Sequence, residues 1–316
     1  MQELAGRRVV VTGGSGFVGR AVVRALTAGG ADVTVADLDP PAADVRAVVG
    51  DLTDPAFVRA AVPKGTDGIV HLAARTSVLA SKREPAATHR VNVEATAALL
   101  ERAREVGAAR FLFASTNAVV GDVGVGPITE DLPLRPLTPY GATKAAAEML
   151  LSAYRACYGL GATALRLTNI YGPGMAHKDS FVPRLMRAAD GGDEVRVHGD
   201  GRQRRDLVHV DDVVRAFLLA WQCMPEGPLV VGSGRSVTVL DLVDQVRAVT
   251  GRPLPVRHVD PPAGEMPAVV VRIDRMRALG WEPRVDLADG LAGVWEEFRT
   301  APPARPAPEA PEAVPA

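Results

Sequence analysis

Tyr140 and Lys144 are the residues whose types and spacing most clearly suggest chemistry, since they stand four positions apart in the segment PYGATKAAAE. At that spacing two side chains share one face of a helix, one turn apart. A phenol ordinarily titrates at about 10, and a neighbouring positive charge would favour the phenolate. The pair is a candidate catalytic base with its electrostatic partner, while the same spacing also fits a pair on a helix surface.

Two polar residues elsewhere in the sequence favour the catalytic interpretation. Thr116 follows a predicted strand over 110–115. Parallel α/β sheets bring such side chains to the ligand crevice, where Thr116 could hydrogen-bond both a substrate hydroxyl and Tyr140. Asn92 lies in a predicted helix over 85–106 and could hold a water molecule or a backbone carbonyl in a proton relay. Lysine is also rare, with four lysines among 36 basic residues, so Lys144 is kept where this chain usually has arginine.

A glycine-rich turn follows the first predicted strand, in the segment VVVTGGSGFVGRAVVRAL. Gly13, Gly16 and Gly19 stand between that strand and the first predicted helix. Missing side chains let the backbone approach a pyrophosphate, and the helix N-terminus offers free N–H groups and a partial positive charge. Glycine-rich turns are common, but this position predicts a dinucleotide-binding loop.

The acidic residue Asp37 ends the second predicted strand. A carboxylate at this point accepts hydrogen bonds from the adenosine ribose of NAD and repels the 2′-phosphate of NADP. The next residues, Leu38-Asp39-Pro40-Pro41, supply no compensating cation. The sequence therefore predicts NAD as the cofactor.

Two later segments are predicted to continue the cofactor site. In GDLTD, Asp51 is placed to meet the adenine edge, whereas Asp54 is predicted to cap the next helix ahead of Pro55. The segment HLAAR ends the fourth strand beside the pyrophosphate and nicotinamide, with His71 itself predicted to be a packed residue. The residues predicted to bind NAD are Gly13, Gly16, Phe17, Val18, Asp37, Asp51, Leu52, Leu72, Ala73, Ala74, Tyr140 and Lys144.

Hydrophobic periodicity predicts the elements that position these residues. The predicted strands span 8–12, 32–36, 46–49, 68–72, 110–115 and 162–167, and the predicted helices span 17–28, 55–61, 85–106, 140–157, 182–189, 210–221 and 239–250. Strands alternating with helices imply βαβ units and a parallel sheet with right-handed crossovers. The fold class is therefore α/β, a Rossmann-type doubly wound parallel sheet with a smaller, discontinuous C-terminal substrate-binding lobe.

The regular alternation of predicted strands and helices ends after residue 167, which suggests a domain boundary there. We assign 1–167 to the NAD-binding domain, with 206–231 returning to it, and 168–205 with 232–300 to the substrate-binding lobe. The last stretch, 301–316, consists almost entirely of alanine, proline and acidic residues, and a disordered tail is expected there.

Composition excludes several classes of protein. The chain has 316 residues, 47% of them apolar and 23% charged, with a net charge of −1. Such a charge gives no footprint for nucleic acid or an anionic membrane surface, so neither is expected as a partner. Cys157 and Cys223 lie far apart and the histidines lack metal-ligand spacing, so neither a disulfide nor a metal site is expected. With no apolar run of about 20 residues and no signal-peptide pattern, a cytoplasmic location is expected.

The ordered set of motifs resembles the extended short-chain dehydrogenase/reductase family, in its nucleotide-sugar epimerase/dehydratase branch. The shared motifs are the glycine loop, Asp37, DLTD, HLAA, Asn92, FAST, the Tyr140-x-x-x-Lys144 pair, LRLTNIYGPG, GDGRQRRDLVHVDDVV and LGWEP. The resemblance implies Thr116, Tyr140 and Lys144 as the catalytic set with Asn92 in support, tightly held NAD, and a homodimer. It also implies a nucleotide-diphosphate sugar as substrate. The substrate-binding residues are then Ser77, Thr116, Asn117, Asn169, Val182 and Arg205, with Arg205 on the diphosphate.

The turn after the catalytic threonine separates the reactions of this branch. Similar dehydratases carry an acid pair there to expel water, whereas this chain has Asn117-Ala118. Missing acid and base groups would each forgo about 10²–10⁴-fold in rate. A nucleotide-sugar 4-epimerase of the UDP-hexose type, which oxidises C4 and returns the hydride to the other face, is therefore expected. A 4-ketoreductase, an unusual dehydratase and a non-enzymatic nucleotide-binding protein remain the alternatives.

One departure from the family pattern concerns phosphate binding. Relatives often have arginine where this chain has Pro262. Arg184, Arg202 or Arg204 could replace that contact, and a solvated position fits each of them equally well.

Overall fold

The computed structural model of the protein describes residues 4–42, 44–260 and 268–300. The strands are, in chain order, β1 (Arg8–Thr12), β2 (Asp32–Asp37), β3 (Arg46–Val49), β4 (Gly68–His71), β5 (Arg110–Thr116), β6 (Gly161–Leu167), β7 (Asn169–Tyr171), β8 (Val195–His198), β9 (Arg204–His209), β10 (Leu229–Val231), β11 (Ser236–Thr238) and β12 (Val256–Val259). The helices are α1 (Phe17–Ala28), α2 (Pro55–Ala61), α3 (Val78–Arg83), α4 (Pro85–His89), α5 (Ala95–Val106), α6 (Pro139–Tyr158), α7 (Phe181–Gly191), α8 (Val210–Cys223), α9 (Val239–Thr250), α10 (Asp274–Ala278) and α11 (Leu287–Thr300). A π-helical turn (Arg90–Glu94) joins α4 to α5, and a 3₁₀ turn (Asn117–Val119) follows β5.

Seven strands form one parallel sheet in the order β10-β6-β5-β4-β1-β2-β3. The chain runs outward from β1 through β2 to β3, then crosses back to β4 and continues in the opposite direction. The reversal lies between β1 and β4, and ligands of open α/β sheets bind at the carboxyl ends of strands on either side of such a point. The predicted doubly wound parallel sheet is confirmed.

Both faces of the sheet are covered by helices, as a parallel sheet requires. Val9 and Val11 of β1 belong to the apolar core that includes α1 and α8, whereas Val10 belongs to the core that includes α2, α5 and α6. Alternate residues of a strand point to opposite faces, so one short apolar run supplies two cores. This double covering fixes the strand ends that carry the candidate site.

The polypeptide beyond β6 builds two smaller sheets beside the main one. One has the order β11-β9-β7 and the other pairs β8 with β12 in parallel. Helices α7, α9 and α11 pack against one another around these strands. The chain returns to the main sheet through β10, which pairs with β6.

The predicted helix over 85–106 is wrong in one respect, because the structure divides it into α4, a π-helical turn and α5. A π turn inserts one extra residue into the helix and redirects the side chains around it, and such turns are frequent at functional sites. Asn92 lies in this turn. Sequence periodicity also missed the short helix α3.

Two further expectations concern membrane-spanning helices and the segments outside the described residues. Across the three described ranges, no helix has both the length and the apolar character needed to cross a bilayer. The predicted tail over 301–316 and Pro262 lie outside the described residues.

Candidate active site

The first turn of α6 brings Tyr140 next to Thr116, the last residue of β5. Thr138 caps this helix, because its Oγ1 accepts a hydrogen bond from the Gly141 amide at 3.1 Å, and Pro139 occupies the first helical position. Tyr140 and Thr116 line one cavity, and Thr116 is close enough to the phenol to influence its pKa. The two predicted catalytic hydroxyl groups are therefore neighbours.

Lys144 lies one turn further along α6 and is buried, with 2% of its surface exposed. Its Nζ donates a hydrogen bond to the Ala114 carbonyl at 2.8 Å and lies 4.5 Å from the centre of the Phe113 ring. Burial lowers the pKa of Lys144 to about 7, and the negative charge of Glu148 opposes that shift. The amine is thus held at the end of β5, close to half-protonation at neutral pH.

The Tyr140 phenol differs from the sequence-based expectation. Burial raises the pKa of Tyr140 to about 12, and the Thr116 side chain acts in the opposite direction. The lysine amine is directed at Ala114, and its charge is not among the causes of the Tyr140 shift. In the protein alone Tyr140 is a neutral phenol, and the predicted lowering of its pKa is not a property of these side chains by themselves.

Asn92 lies behind the cavity wall and is fully engaged in hydrogen bonds. Its Oδ1 accepts from the Arg75 amide at 2.8 Å, and its Nδ2 donates to the Arg75 carbonyl at 3.1 Å and to Thr143 Oγ1 at 3.0 Å. Thr143 Oγ1 in turn donates to the Tyr140 carbonyl at 2.8 Å. Asn92 therefore ties the backbone near Arg75 to the helical turn that carries Tyr140.

His71, at the end of β4, is packed as predicted. Its ring nitrogens lie 2.6 Å from Thr12 Oγ1 and 2.9 Å from Thr96 Oγ1. Burial, and then the charge of Lys144, lower the pKa of His71 to about 3. A neutral imidazole thus joins two strand ends to the helix above them.

Glu148 was missed by the sequence analysis, although it lies another four residues beyond Lys144 on the same face of α6. Its carboxylate accepts hydrogen bonds from Arg166 Nη2 at 2.8 Å, from Arg166 Nε, and from the Ser115 hydroxyl. The ion pair is nearly dry, with side-chain exposures of 4% for Arg166 and 7% for Glu148. Arg166 Nη1 also donates to the Glu130 carbonyl at 3.0 Å. The continued four-residue spacing was the available signal, but Arg166 lies on another element.

The glycine turn forms a cradle that side chains would fill. Gly13 has φ +71°, and a Cβ on it would lie 2.6 Å from the Ala73 amide nitrogen. A Cβ on Gly19 would lie 2.0 Å from the Gly13 carbonyl oxygen. Asp37 stands at the rim, where its Oδ2 accepts a hydrogen bond from the Ser15 amide at 2.9 Å. This arrangement suits a dinucleotide whose pyrophosphate contacts the backbone directly at the start of α1, because no side chain intervenes.

The other predicted cofactor residues lie around this cradle with different exposure. Phe17, Val18 and Leu72 line the cavity, and Ala73 and Ala74 continue the β4 end that faces the glycine turn. Leu52 is buried, with 8% of its surface exposed. Asp51 is exposed, and its Oδ1 accepts a hydrogen bond from the Thr53 amide at 2.8 Å. Asp54 caps α2 ahead of Pro55, as predicted.

A cavity of about 700 Å³ opens beside Thr116, Tyr140 and Lys144. It extends past the first turn of α7 to residues of β8, β9 and β11, so both parts of the molecule contribute to its wall. The cationic side chains on the wall are Lys144, Lys178, Arg184, Arg196 and Arg205. Of the described residues that line the cavity, none is aspartate or glutamate. The cavity suits an elongated, anionic ligand of small-molecule size.

The predicted substrate residues divide into two groups. Asn169, Val182 and Arg205 line the cavity together with Thr116. Ser77 and Asn117 are not among its lining residues. Ser77 instead caps α3, where its Oγ accepts from the Ala80 amide at 3.1 Å, and Asn117 is buried in the 3₁₀ turn.

The proposed substitutes for the missing phosphate-binding arginine also differ from one another. Arg184 lines the cavity, but its guanidinium forms two hydrogen bonds of 2.7 Å to Asp179. Arg202 and Arg204 are exposed and lie off the cavity wall.

Comparison with known proteins gives consistent matches over nearly the whole chain. The model of the NAD dependent epimerase/dehydratase family matches residues 9–232. A UDP-glucose 4-epimerase of Corynebacterium glutamicum is 32% identical over 314 residues, covering 91% of this chain and 94% of that protein. A dTDP-glucose 4,6-dehydratase of Streptomyces niveus is 35% identical over 313 residues, covering 92% of this chain and 93% of that protein.

A solved structure gives a matching backbone with a bound cofactor. The Thermus thermophilus UDP-glucose 4-epimerase, determined in complex with NAD, superposes with a TM-score of 0.85 at 33% identity. The match covers 93% of this chain and 99% of that structure.

Proposed function

The chain belongs to the NAD-dependent epimerase/dehydratase family, and we propose that within this family it is a nucleotide-sugar 4-epimerase. The observation that carries the proposal is a cavity wall with a tyrosine, a threonine and several cations but with no carboxylate among its described residues. The proposal rests on what these side chains can and cannot do to a sugar.

NAD is the cofactor of the family, and the glycine cradle with Asp37 at its rim fits it. When bound, NAD accepts the hydride of a sugar carbon and later returns it. Gly13, Gly16 and Phe17 would hold its pyrophosphate and Asp37 its adenosine ribose. Lys144 would donate to the nicotinamide ribose.

The protein's own residues handle the proton of the sugar hydroxyl. Thr116 holds that hydroxyl against the phenol, and Tyr140 removes its proton as the general base and gives it back on the return step. Lys144 supports the phenolate with its positive charge when it is protonated, since an opposite charge nearby favours the ionised form. Asn92 fixes the turn of α6 that carries Tyr140. One base therefore suffices for both halves of the reaction.

Epimerisation is favoured over elimination because the described residues of the wall include no aspartate or glutamate that could serve an elimination. Expelling water from a keto sugar calls for a base that removes a carbon-bound proton and an acid that protonates the leaving hydroxyl. The turn after Thr116 has Asn117 and Ala118 at the positions where similar dehydratases have acids. Glu148, a buried acid of α6, is held by Arg166 and Ser115 and does not line the cavity.

The cations of the wall support a nucleotide-diphosphate sugar as substrate. Arg205 is the residue assigned to the diphosphate, and Arg196 lines the same cavity. Asn169 Nδ2 donates to the Asp206 carbonyl at 3.0 Å, which fixes its side chain on the wall. A diphosphate suits this surplus of positive charge.

Dehydration is the second candidate, since a relative named dTDP-glucose 4,6-dehydratase is as similar to the chain as a relative named UDP-glucose 4-epimerase. One experiment separates the two. The purified full-length protein is incubated with UDP-, dTDP- and GDP-hexoses without added NAD, and products are read by NMR at C4 and by mass. A C4 epimer of unchanged mass supports the proposal. A product that has lost water would overturn it. So would a protein that leaves the hexoses unchanged and only reduces a 4-keto sugar with added NADH.

Three further features belong to the same proposal. The substrate-binding lobe comprises 168–205 and 232–300, and the NAD-binding domain comprises 1–167 with 206–231. The protein is a homodimer in the cytoplasm, as the family resemblance and the composition predict.

A further inference from the structure

Lys178 is a cavity-lining cation that the roles assigned above leave unused. It lies in the segment 172–180, between β7 and α7, and is half-buried. It lines the same cavity as Phe17, the first residue of α1 after the glycine cradle. Arg20 of α1 bonds to this segment and its charge acts on the Lys178 ammonium, so Lys178 lies near the helix that follows the cofactor cradle.

The backbone around Lys178 is fixed by hydrogen bonds. The Lys178 amide donates to the Met175 carbonyl at 2.8 Å. Arg187 spans the segment from α7, donating from Nη2 to the Lys178 carbonyl at 3.0 Å and from Nη1 to the Ala176 carbonyl at 2.9 Å. A side chain on such a backbone loses less freedom when it binds a ligand than one on a loose loop.

The same segment is anchored at Gly174 from two directions. Arg20 of α1 donates from Nη2 to the Gly174 carbonyl at 3.0 Å, and the Gly174 amide donates to Glu297 of α11 at 2.5 Å. The segment thus connects the helix that follows the cofactor cradle to the last helix. The backbone segment that carries Lys178 is therefore held in place by both helices.

The Lys178 ammonium has no anionic partner among the described residues. Arg184, its neighbour on the wall, is paired with Asp179. Burial, and then the charge of Arg20, lower the pKa of Lys178. An unpaired cation beside another cation is unfavourable in the protein alone, and an anion in the cavity would reverse that effect.

We propose that Lys178 binds an oxyanion of a diphosphate in this cavity. Two diphosphates meet there, that of NAD and, resting on the proposed function, that of the nucleotide sugar. An ammonium is a compact point charge that suits a phosphate oxygen, and hydrogen bonds to charged groups are the strong ones. If the diphosphate is that of the nucleotide sugar, Lys178 would supply the phosphate contact that Pro262 cannot provide.

The test compares full-length Lys178→Met and Lys178→Arg with the wild type by titration calorimetry. Lys64→Met is the matched control, because it removes an exposed lysine that is not on the cavity wall. One arm titrates NAD into the NAD-free protein. The other arm titrates UDP and dTDP into the NAD-loaded protein. In Lys178→Met we expect the Kd of one of these ligands to rise about 10-fold, and in Lys178→Arg we expect it to stay within about 3-fold.

The two arms identify the source of the phosphate. A change confined to UDP or dTDP assigns Lys178 to the substrate diphosphate, and a change confined to NAD assigns it to the cofactor. If all titrations of Lys178→Met match those of Lys64→Met, the proposal is wrong. If the wild type binds neither UDP nor dTDP, the substrate is not a UDP- or dTDP-sugar and the NAD arm alone decides the role of Lys178.

Thermal unfolding separates binding from a structural role. We expect Lys178→Met to unfold at the wild-type temperature or above it without ligand, because a half-buried unpaired charge is removed. The increase of Tm on adding the affected ligand should be smaller than in the wild type. A lower Tm without ligand, together with an unchanged ligand response, would contradict the proposal.

Discussion

Tyr140 reaches the cavity as a neutral phenol, with its pKa at about 12. Because burial sets that value, the hydroxyl can serve as a base only when positive charge is present beside it. A mutation of Tyr140 should therefore impair proton removal and leave the binding of NAD intact.

Tyr140→Phe removes the phenolic oxygen and leaves the ring that packs at the start of α6. We expect turnover to fall at least about 100-fold while bound NAD stays at the wild-type level. Initial rates with an active nucleotide sugar and the NAD content of the purified protein measure the two effects. Turnover close to the wild type would refute the role of Tyr140, and loss of NAD would make it a binding residue instead.

Lys144 gives the stability a pH dependence with a defined sign. Its pKa is about 7 in the fold against 10.5 ordinarily, so between these values the unfolded chain binds a proton that the folded chain does not. Stability contributed by this residue therefore rises with pH through that window, by at most about 1.4 kcal/mol per pH unit. The advantage of Lys144→Met over the wild type in unfolding free energy should shrink from pH 7 to pH 10. Urea unfolding at several pH values measures it, and a constant or growing difference would contradict the assignment.

At the scale of elements, α6 carries Tyr140, Lys144 and Glu148 on one face at intervals of four residues. The first faces the cavity, the second bonds to the end of β5, and the third pairs with Arg166 of β6. The helix is thereby attached to two strands of the sheet, by Lys144 on the cavity wall and by Glu148 off that wall.

Removing one partner of the buried Glu148–Arg166 pair should lower the unfolding free energy more than removing both partners. Glu148→Leu leaves the Arg166 charge buried and is expected to reduce the unfolding free energy by about 3–5 kcal/mol. The double variant Glu148→Leu/Arg166→Met removes both charges and should lose less than Glu148→Leu alone. Denaturant unfolding of the two single variants and the double variant measures the coupling. Additive losses would show that the pair does not act as a unit.

The sequence predicts elements better than it predicts the contacts between them. The bounds of β1, α1 and α9 agree with the structure, because apolar periodicity and glycine turns are local signals. The π turn at Asn92 depends on a single extra residue, which periodicity over a long helix cannot register. Ser77 and Asn117 were placed by resemblance, whereas in the structure Ser77 caps α3 and Asn117 is buried in the 3₁₀ turn.

At the scale of the whole molecule, the larger apolar core contains residues of both proposed lobes. Val11 of β1, Leu185 of α7, Val243 of α9 and Leu291 of α11 belong to one buried cluster. Parts that share a core lose their packing together, so the lobes should not melt independently.

We therefore expect one cooperative thermal transition, moved upward by NAD. A ligand present at about 100 times its Kd adds about 2.7 kcal/mol to the stability of the folded state. NADP is the matched control, since Asp37 repels its 2′-phosphate and the shift should be smaller. Differential scanning calorimetry measures both. Two separated transitions would contradict the shared core, and an equal response to NADP would contradict the role of Asp37.

The described part of the cavity wall, which has no aspartate or glutamate, also predicts where deuterium from heavy water enters the product. No described residue on it is an acid that could remove a proton from the carbon next to an oxidised C4. The hydroxyl proton exchanges freely, but every hydrogen attached to carbon in the substrate is still attached to carbon in the product. Turnover in heavy water should thus give a product with no deuterium on its carbon skeleton, as read by proton NMR and mass spectrometry. Deuterium at C5 would reveal that the molecule can enolise the keto sugar, which would contradict this prediction.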